Sequence, residues 1–355
     1  MTTLAPSIHP FWDTWGMIGH RWAVDALKSA IRNGRARHAY LIVGAESLGK
    51  ETLARAFAIT LQTAHLFDAE GRLRSDPDAA QFESVQRRIE NGNYADVIYT
   101  TRDTQTLKID EIRRVAAQIA MKPFEGRYRI AIFRDFDTAL GVGQDALLKT
   151  LEEPASTGVL ILLARSLDSI LPTITSRSQI IRLRPVAFDT MRDALIARGA
   201  EAGQAGLLAA LSGGRVGWAL AAMADPSLLT ARTAALDMLD EVLSHNRVRR
   251  FAAAEDLSRD KEALRPLLEL WLSYWRDLVL ISENASTPIT NIDRAPALRQ
   301  LADQLTPEQA LAALKATTHL LDLLDTNASP RLGMEVMFLD YPGLTAPENP
   351  ARSSV

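Results

Sequence analysis

The chain has 355 residues, 47% hydrophobic and 23% charged, with a formal net charge of −3. That length exceeds the roughly 250–300 residues at which one hydrophobic core stops growing, so two or three domains are expected, and the composition excludes whole-chain disorder. No apolar run approaches the ~20 residues of a spanning helix, and the slight acid excess argues against a chain that grips DNA alone, where phosphate neutralisation dominates affinity. The opening MTTLAPSIHPFWDTWG has no basic start leading into an apolar stretch, so no secretory signal is expected. There are no cysteines, which excludes disulfides, iron–sulfur clusters and thiolate zinc and fits a reducing, cytoplasmic compartment. The six histidines are scattered without ligand spacing, so no metal site is expected.

Residues 22–32 read as an amphipathic helix with Trp22, Val24, Leu27 and Ile31 toward one face. HAYLIVG (38–44) is a buried strand ending in glycine, and a helix follows from Lys50. Residues 64–93 are polar, with a helical patch at 81–89, and read as an insertion of modest structure. Strands are expected at 96–100, 128–133, 159–164 and 180–183, with helices at 109–121, 143–153 and 172–177. Nearly continuous apolar strands alternating with helices predict a parallel sheet covered on both faces. After Pro185 no strand is expected: short helices fill 187–225, and longer amphipathic ones, among them 264–281 and 307–324, run on to about residue 339. The proline- and serine-rich tail is expected to be disordered. Trp271, Tyr274 and Trp275, at i, i+3 and i+4, read as core, with a subunit-interface stripe as the alternative.

Gly44-Ala45-Glu46-Ser47-Leu48-Gly49-Lys50-Glu51 has the GxxxxGK spacing of a phosphate-binding loop between strand and helix. Glycines let backbone N–H groups curl around phosphate, and the lysine meets the terminal phosphates. The next residue should carry a hydroxyl for Mg²⁺; here it is Glu51, and Glu46 adds a second carboxylate. After the third strand, the place of an acidic magnesium-facing residue is taken by Arg134, with Asp135 at the water-activating place. A cation there opposes a metal ion by Coulomb repulsion. Glu51 and Arg134 together describe a phosphate loop without its catalytic partners; the alternative is an active P-loop ATPase with Glu51 as an atypical magnesium ligand.

ALLKTLEEP (146–154), PTITSRSQ (172–179), HAYL before the loop, DEIR (110–113) and KP…G (122–126) give the chain its resemblance to bacterial DNA polymerase III clamp-loader subunits of the AAA+ superfamily, and to the delta-prime type among them. The resemblance runs from about residue 16 to 222. It implies an α/β P-loop (RecA-like AAA+) domain at 1–186, a small helical lid at 187–226, an all-α collar domain at 227–341 and a tail at 342–355. It implies a trans-acting arginine in Ser176-Arg177-Ser178, where the family carries Ser-Arg-Cys; a helix-end cation is the plainer reading of Arg177. Gly217 stands where a nucleotide-sensing arginine is expected, and Ala164-Arg165-Ser166 lies loosely where a polar sensor follows the fourth strand. The family's four zinc-binding cysteines are missing, and the 64–93 insertion occupies their place. The resemblance implies a catalytically silent stator, part of a nucleotidyltransferase holoenzyme, with gamma/tau and delta subunits as partners. The sliding clamp is reached indirectly and primed DNA through the assembled complex, with no membrane. No cofactor is expected, weak ATP or ADP binding being the open alternative.

Overall fold

The computed structural model describes residues 8–100, 106–324, 326 and 328–344. The chain divides into two compact units, one running to Ala194 with Gly214–Gly217 added, the other comprising Leu195–Gly213 and the residues from Trp218 onward. Residues 187–226, expected as a lid, are shared between them. The tail is expected to be disordered from residue 342, but Pro342 and Leu344 are held, Pro342 O by Arg250 and Leu344 N–H by the Leu243 carbonyl; residues 345–355 lie outside the described residues.

The first unit contains α1 (Pro10–Thr14), α2 (Arg21–Arg32), β1 (Ala39–Val43), α3 (Lys50–Thr63), α4 (Asp76–Glu90), β2 (Val97–Tyr99), α5 (Ile109–Ile119) and β3 (Arg129–Phe133). It continues through α6 (Gly141–Asp145), α7 (Leu148–Glu152), β4 (Gly158–Ala164), α8 (Pro172–Thr175), β5 (Gln179–Arg182) and the start of α9 (Phe188–Ile196). The five strands form one parallel sheet in the order β2-β3-β4-β1-β5, the order of the P-loop AAA+ fold. All of β1 is buried, which its unbroken apolar sequence AYLIV allows only with both faces covered. Alternate residues serve opposite faces: Tyr40, Ile42, Ile130, Ile132, Ile161 and Leu163 join one core with Phe57 of α3. Leu41, Ala131, Phe133, Leu160 and Leu162 join the other with Ile112 and Val115 of α5.

Three expectations need correction. Trp22 is 54% exposed; the buried stripe of α2 is Ala23, Val24, Leu27 and Lys28, and Trp22 stands two residues, some 200° of helix, from Val24. The expected helix over 143–153 is two short ones, because the backbone tightens to i→i−3 bonds at Ala146 and Leu147. The insertion is well built. Its helix α4 spans fifteen residues, is capped by Ser75 and buries Phe82 and Ile89 in the first core. Phe82 meets Phe67 edge-on at 5.2 Å, and Phe67 stacks on Trp12 at 4.5 Å. Trp12 lies so close to Gly71 that a Cβ there would come within 2.0 Å of the indole; its φ of +84° also suits glycine.

The second unit holds α10 (Ala202–Leu211), most of α11 (Val216–Ala224), α12 (Ser227–Ser244), α13 (Arg247–Leu257), α14 (Lys261–Ser282), α15 (Ala295–Ala302), α16 (Pro307–Leu323) and α17 (Pro330–Asp340). No strand occurs among its described residues. Trp271, Tyr274 and Trp275 are buried in its core with Phe338 and Tyr341, as the core reading expects. Two polar groups organise this core. Asp277, fully buried, accepts the backbone N–H groups of Thr290 (2.9 Å) and Asn291 (2.6 Å). Arg250, 6% exposed, donates to carbonyls at the end of α12 (Val242, Leu243, His245) and at the end of α17 (Phe338, Tyr341, Pro342). Val242, Leu243 and Phe338 belong to the last turns of their helices, whose carbonyls lack the next turn's donors, and His245, Tyr341 and Pro342 follow directly after.

Candidate functional site

The phosphate-type loop leaves the C-terminal end of β1, where open α/β sheets bind ligands. Its shape is that of a working loop. Gly49 caps α3 at φ +94°, and Ser47 also adopts positive φ. A Cβ on Gly44 would meet the Leu183 carbonyl at 2.9 Å.

The chemistry inside the loop differs from the shape. The Lys50 ammonium is turned back onto the loop's own carbonyls, Gly44 O at 2.5 Å and Ala45 O at 2.8 Å. Burial holds its pKa below the usual lysine value, with Asp137 foremost among the carboxylates that oppose the shift. The Glu51 carboxylate is hydrogen-bonded by both Arg55 and Arg134. Arg134 also lies over the Tyr99 ring at 5.1 Å, with Arg55 over the same ring at 5.9 Å. Desolvation raises the Tyr99 pKa. The backbone N–H of Arg134 is fixed by Thr100 Oγ1 at 3.0 Å. Asp135 follows at φ +47°, turning the chain out of β3. Asp137, its side chain 3% exposed, takes a 2.7 Å bond from Arg165 Nε. Gly217 donates its N–H to Ser47 O at 2.7 Å, and a Cβ there would press on Ser47 at 3.2 Å. The position expected for a sensing arginine is thus backbone packed on the loop.

This donor set does not suit a magnesium-bound triphosphate. The lysine is engaged by carbonyls, a carboxylate stands where a hydroxyl should, and a guanidinium occupies the acidic place. Glu51 and Arg134, read separately from the sequence as two losses, are one ion pair. Arg55, Tyr99 and Asp137 were not singled out as site residues from the sequence. Only the i, i+4 spacing of Glu51 and Arg55 was a local signal for them.

Arg177 belongs to a different group of contacts. It follows α8, is exposed, and donates through Nη2 to Glu152 Oε1 at 2.8 Å and through Nη1 to Thr173 O at 3.1 Å and Ser176 Oγ at 3.4 Å. Ser178 turns inward, and its Oγ is buried without a hydrogen-bond partner. Among the described residues no group of three or more histidine, aspartate or glutamate side chains is placed to hold a metal ion. No described helix is long and apolar enough to cross a membrane.

The sequence model of a family described as "DNA polymerase III, delta subunit" matches residues 19–187. The delta-prime subunit of DNA polymerase III from Bacillus subtilis is 25% identical over 304 residues, 83% of this chain and 88% of that one. The gamma subunit from Buchnera aphidicola of Acyrthosiphon pisum is 29% identical over 171 residues, 48% of this chain and 45% of that one. The tau/gamma subunit from Haemophilus influenzae is 32% identical over 162 residues, 45% of this chain and 22% of that one. The chain spans less than half the length of these gamma-type relatives. With its sheet order and its phosphate-type loop, the chain resembles the AAA+ clamp-loader subunits of bacterial DNA polymerase III, most clearly over residues 19–187.

Proposed function

We propose that the chain works as a delta-prime-type stator: a clamp-loader subunit that turns over no ATP itself and completes the ATP site of a neighbour with Arg177. Its partners in this reading are gamma/tau and delta subunits in the cytoplasm. The sliding clamp is engaged indirectly, and primed DNA through the assembled loader. The residues 1–186, 187–226 and 227–341 serve as ATPase-like body, lid and collar. The observation that carries the reading is the Glu51–Arg134 ion pair, which satisfies within the chain the two positions a magnesium–nucleotide complex would need. The exposed, oriented guanidinium of Arg177 supplies the second half of the reading. An arginine delivered in trans stabilises charge on a transferring phosphoryl group, worth about 10³–10⁵ in rate in GTPase systems.

The test is the DNA-stimulated ATPase of a loader reconstituted with wild-type chain or with Arg177→Ala. The reading expects a folded variant, a fully assembled loader and a clear loss of turnover. Unchanged turnover removes Arg177 from the mechanism.

A further inference from the structure

Glu152 closes α7, beside Glu153 and Pro154, at a helix C-terminus where the partial negative charge of the helix disfavours a carboxylate. A local cost of this kind calls for a compensating contact. The contact present is Arg177, with Glu152 Oε1 at 2.8 Å from Nη2. The pair is 25 residues apart in sequence, joins the end of α7 to the turn that follows α8, and leaves the Arg177 and Glu152 side chains 37% and 52% exposed.

The rest of the guanidinium's environment gives the contact its meaning. Nη1 is held by the carbonyl of Thr173, in the preceding helix α8, and by Ser176 Oγ. A long side chain on one edge-anchored turn would otherwise sample several rotamers. With Glu152 on Nη2, three acceptors from two elements fix the plane of the guanidinium. Five N–H donors minus these three leaves two for a ligand.

We infer that Glu152 is a positioning residue for Arg177, holding the guanidinium in the orientation in which it meets the phosphate of a neighbouring subunit's nucleotide. The inference rests on the trans-acting role of Arg177 proposed above, and it adds the element that orients it. Glu152 touches no nucleotide in this arrangement; it acts through the arginine. It therefore affects the rate of the step that uses Arg177 and leaves nucleotide affinity at the neighbouring site alone.

The test is steady-state ATPase of the reconstituted loader carrying wild-type chain, Glu152→Ala, Glu152→Gln, Arg177→Ala and the double variant Glu152→Ala with Arg177→Ala. Glu152→Ala is expected to lower kcat about fivefold, the rate equivalent of one exposed ion pair, with KM unchanged. Glu152→Gln keeps an acceptor at the same place and is expected to retain most of the rate. The double variant is expected to match Arg177→Ala alone, because two residues acting as a unit are not additive. Thermal unfolding of the isolated variants separates loss of fold from loss of orientation. If Arg177→Ala itself leaves turnover unchanged, the trans-acting reading fails. If Arg177→Ala is impaired while Glu152→Ala runs at or above the wild-type rate, or the double variant shows additive losses, the positioning role of Glu152 is overturned and the arginine's role stands.

Discussion

Glu51 and Arg134 are half-exposed, so their ion pair contributes no more than about 1 kcal/mol to stability. Its consequence in the proposed reading is chemical: it occupies the two positions expected to coordinate magnesium in a P-loop ATPase. Glu51→Thr combined with Arg134→Asp restores a hydroxyl and a carboxylate there. The account expects this pair of changes to confer a magnesium- and ATP-dependent rise in melting temperature that the wild-type chain lacks; no rise would mean that other features of the loop block the nucleotide. Each substitution was legible in the sequence as a departure from the phosphate-loop pattern. Their pairing was not, because 83 residues separate them and only the packing of β3 against its neighbours brings Arg134 to α3. A buried carboxylate makes a second prediction. Burial pushes the Asp96 pKa up, but hydrogen bonds from the Phe124, Glu125 and Gly126 N–H groups and from Arg129 outweigh it and hold the carboxyl below the ordinary value of 3.8. A carboxylate depressed in the folded state stabilises above its unfolded pKa, and that contribution is lost as pH falls through the folded value. Asp96→Asn is therefore expected to cost about 3 kcal/mol near neutral pH and to flatten the acid limb of the stability profile. A variant whose acid limb overlays the wild type would contradict this.

At the scale of elements, the strands were readable because an apolar run such as VLILLA has no other stable home than the middle of a covered parallel sheet. The motif-bearing turn between β1 and α3 was readable from glycine and lysine spacing alone. Helix faces and helix ends were harder. The sequence groups Trp22 with Val24, Leu27 and Ile31 on one helix face, whereas the 3.6-residue period gives that face to Ala23, Val24 and Leu27 and leaves Trp22 exposed. The insertion reads as modestly structured because its polar residues outnumber the few aromatics that matter, and those aromatics, Phe67 and Phe82, pack on each other and on Phe11 and Trp12 of the N-terminal segment. Arg250 is the clearest case of information absent from local sequence. It lies in the basic run Arg247-Val248-Arg249-Arg250, yet it is buried, because carbonyls from residues up to 92 positions away converge on it. Burial lowers its pKa, and no carboxylate is among its hydrogen-bond partners. Arg250→Met removes the donors for two helix ends at once and is expected to destabilise the protein by at least ~3 kcal/mol in urea unfolding. A loss below about 1 kcal/mol would mean that water serves those carbonyls equally well.

Across the molecule, sequence similarity and structure divide the chain unevenly. The part that matches the family, residues 19–187, lies within the first unit and carries both the altered loop and Arg177. The helical second unit lies beyond the matched residues, and its helices are held by packing and capping: the Thr306–Gln309 capping box opens α16, and Trp271 and Trp275 fill the core. In the reading proposed above, a chain that keeps the loop's glycines and lysine but pairs Glu51 with Arg134 uses its ATPase-like body as framework. The most direct measurement is equilibrium binding of a fluorescent ATP analogue to the isolated wild-type chain with magnesium, with Lys50→Ala alongside and hydrolysis followed in the same samples. The account predicts no saturable binding in the micromolar range, no difference between the two proteins and no turnover. Low-micromolar affinity that vanishes with Lys50→Ala, accompanied by steady ATP hydrolysis, would contradict it and make the chain an ATPase in its own right.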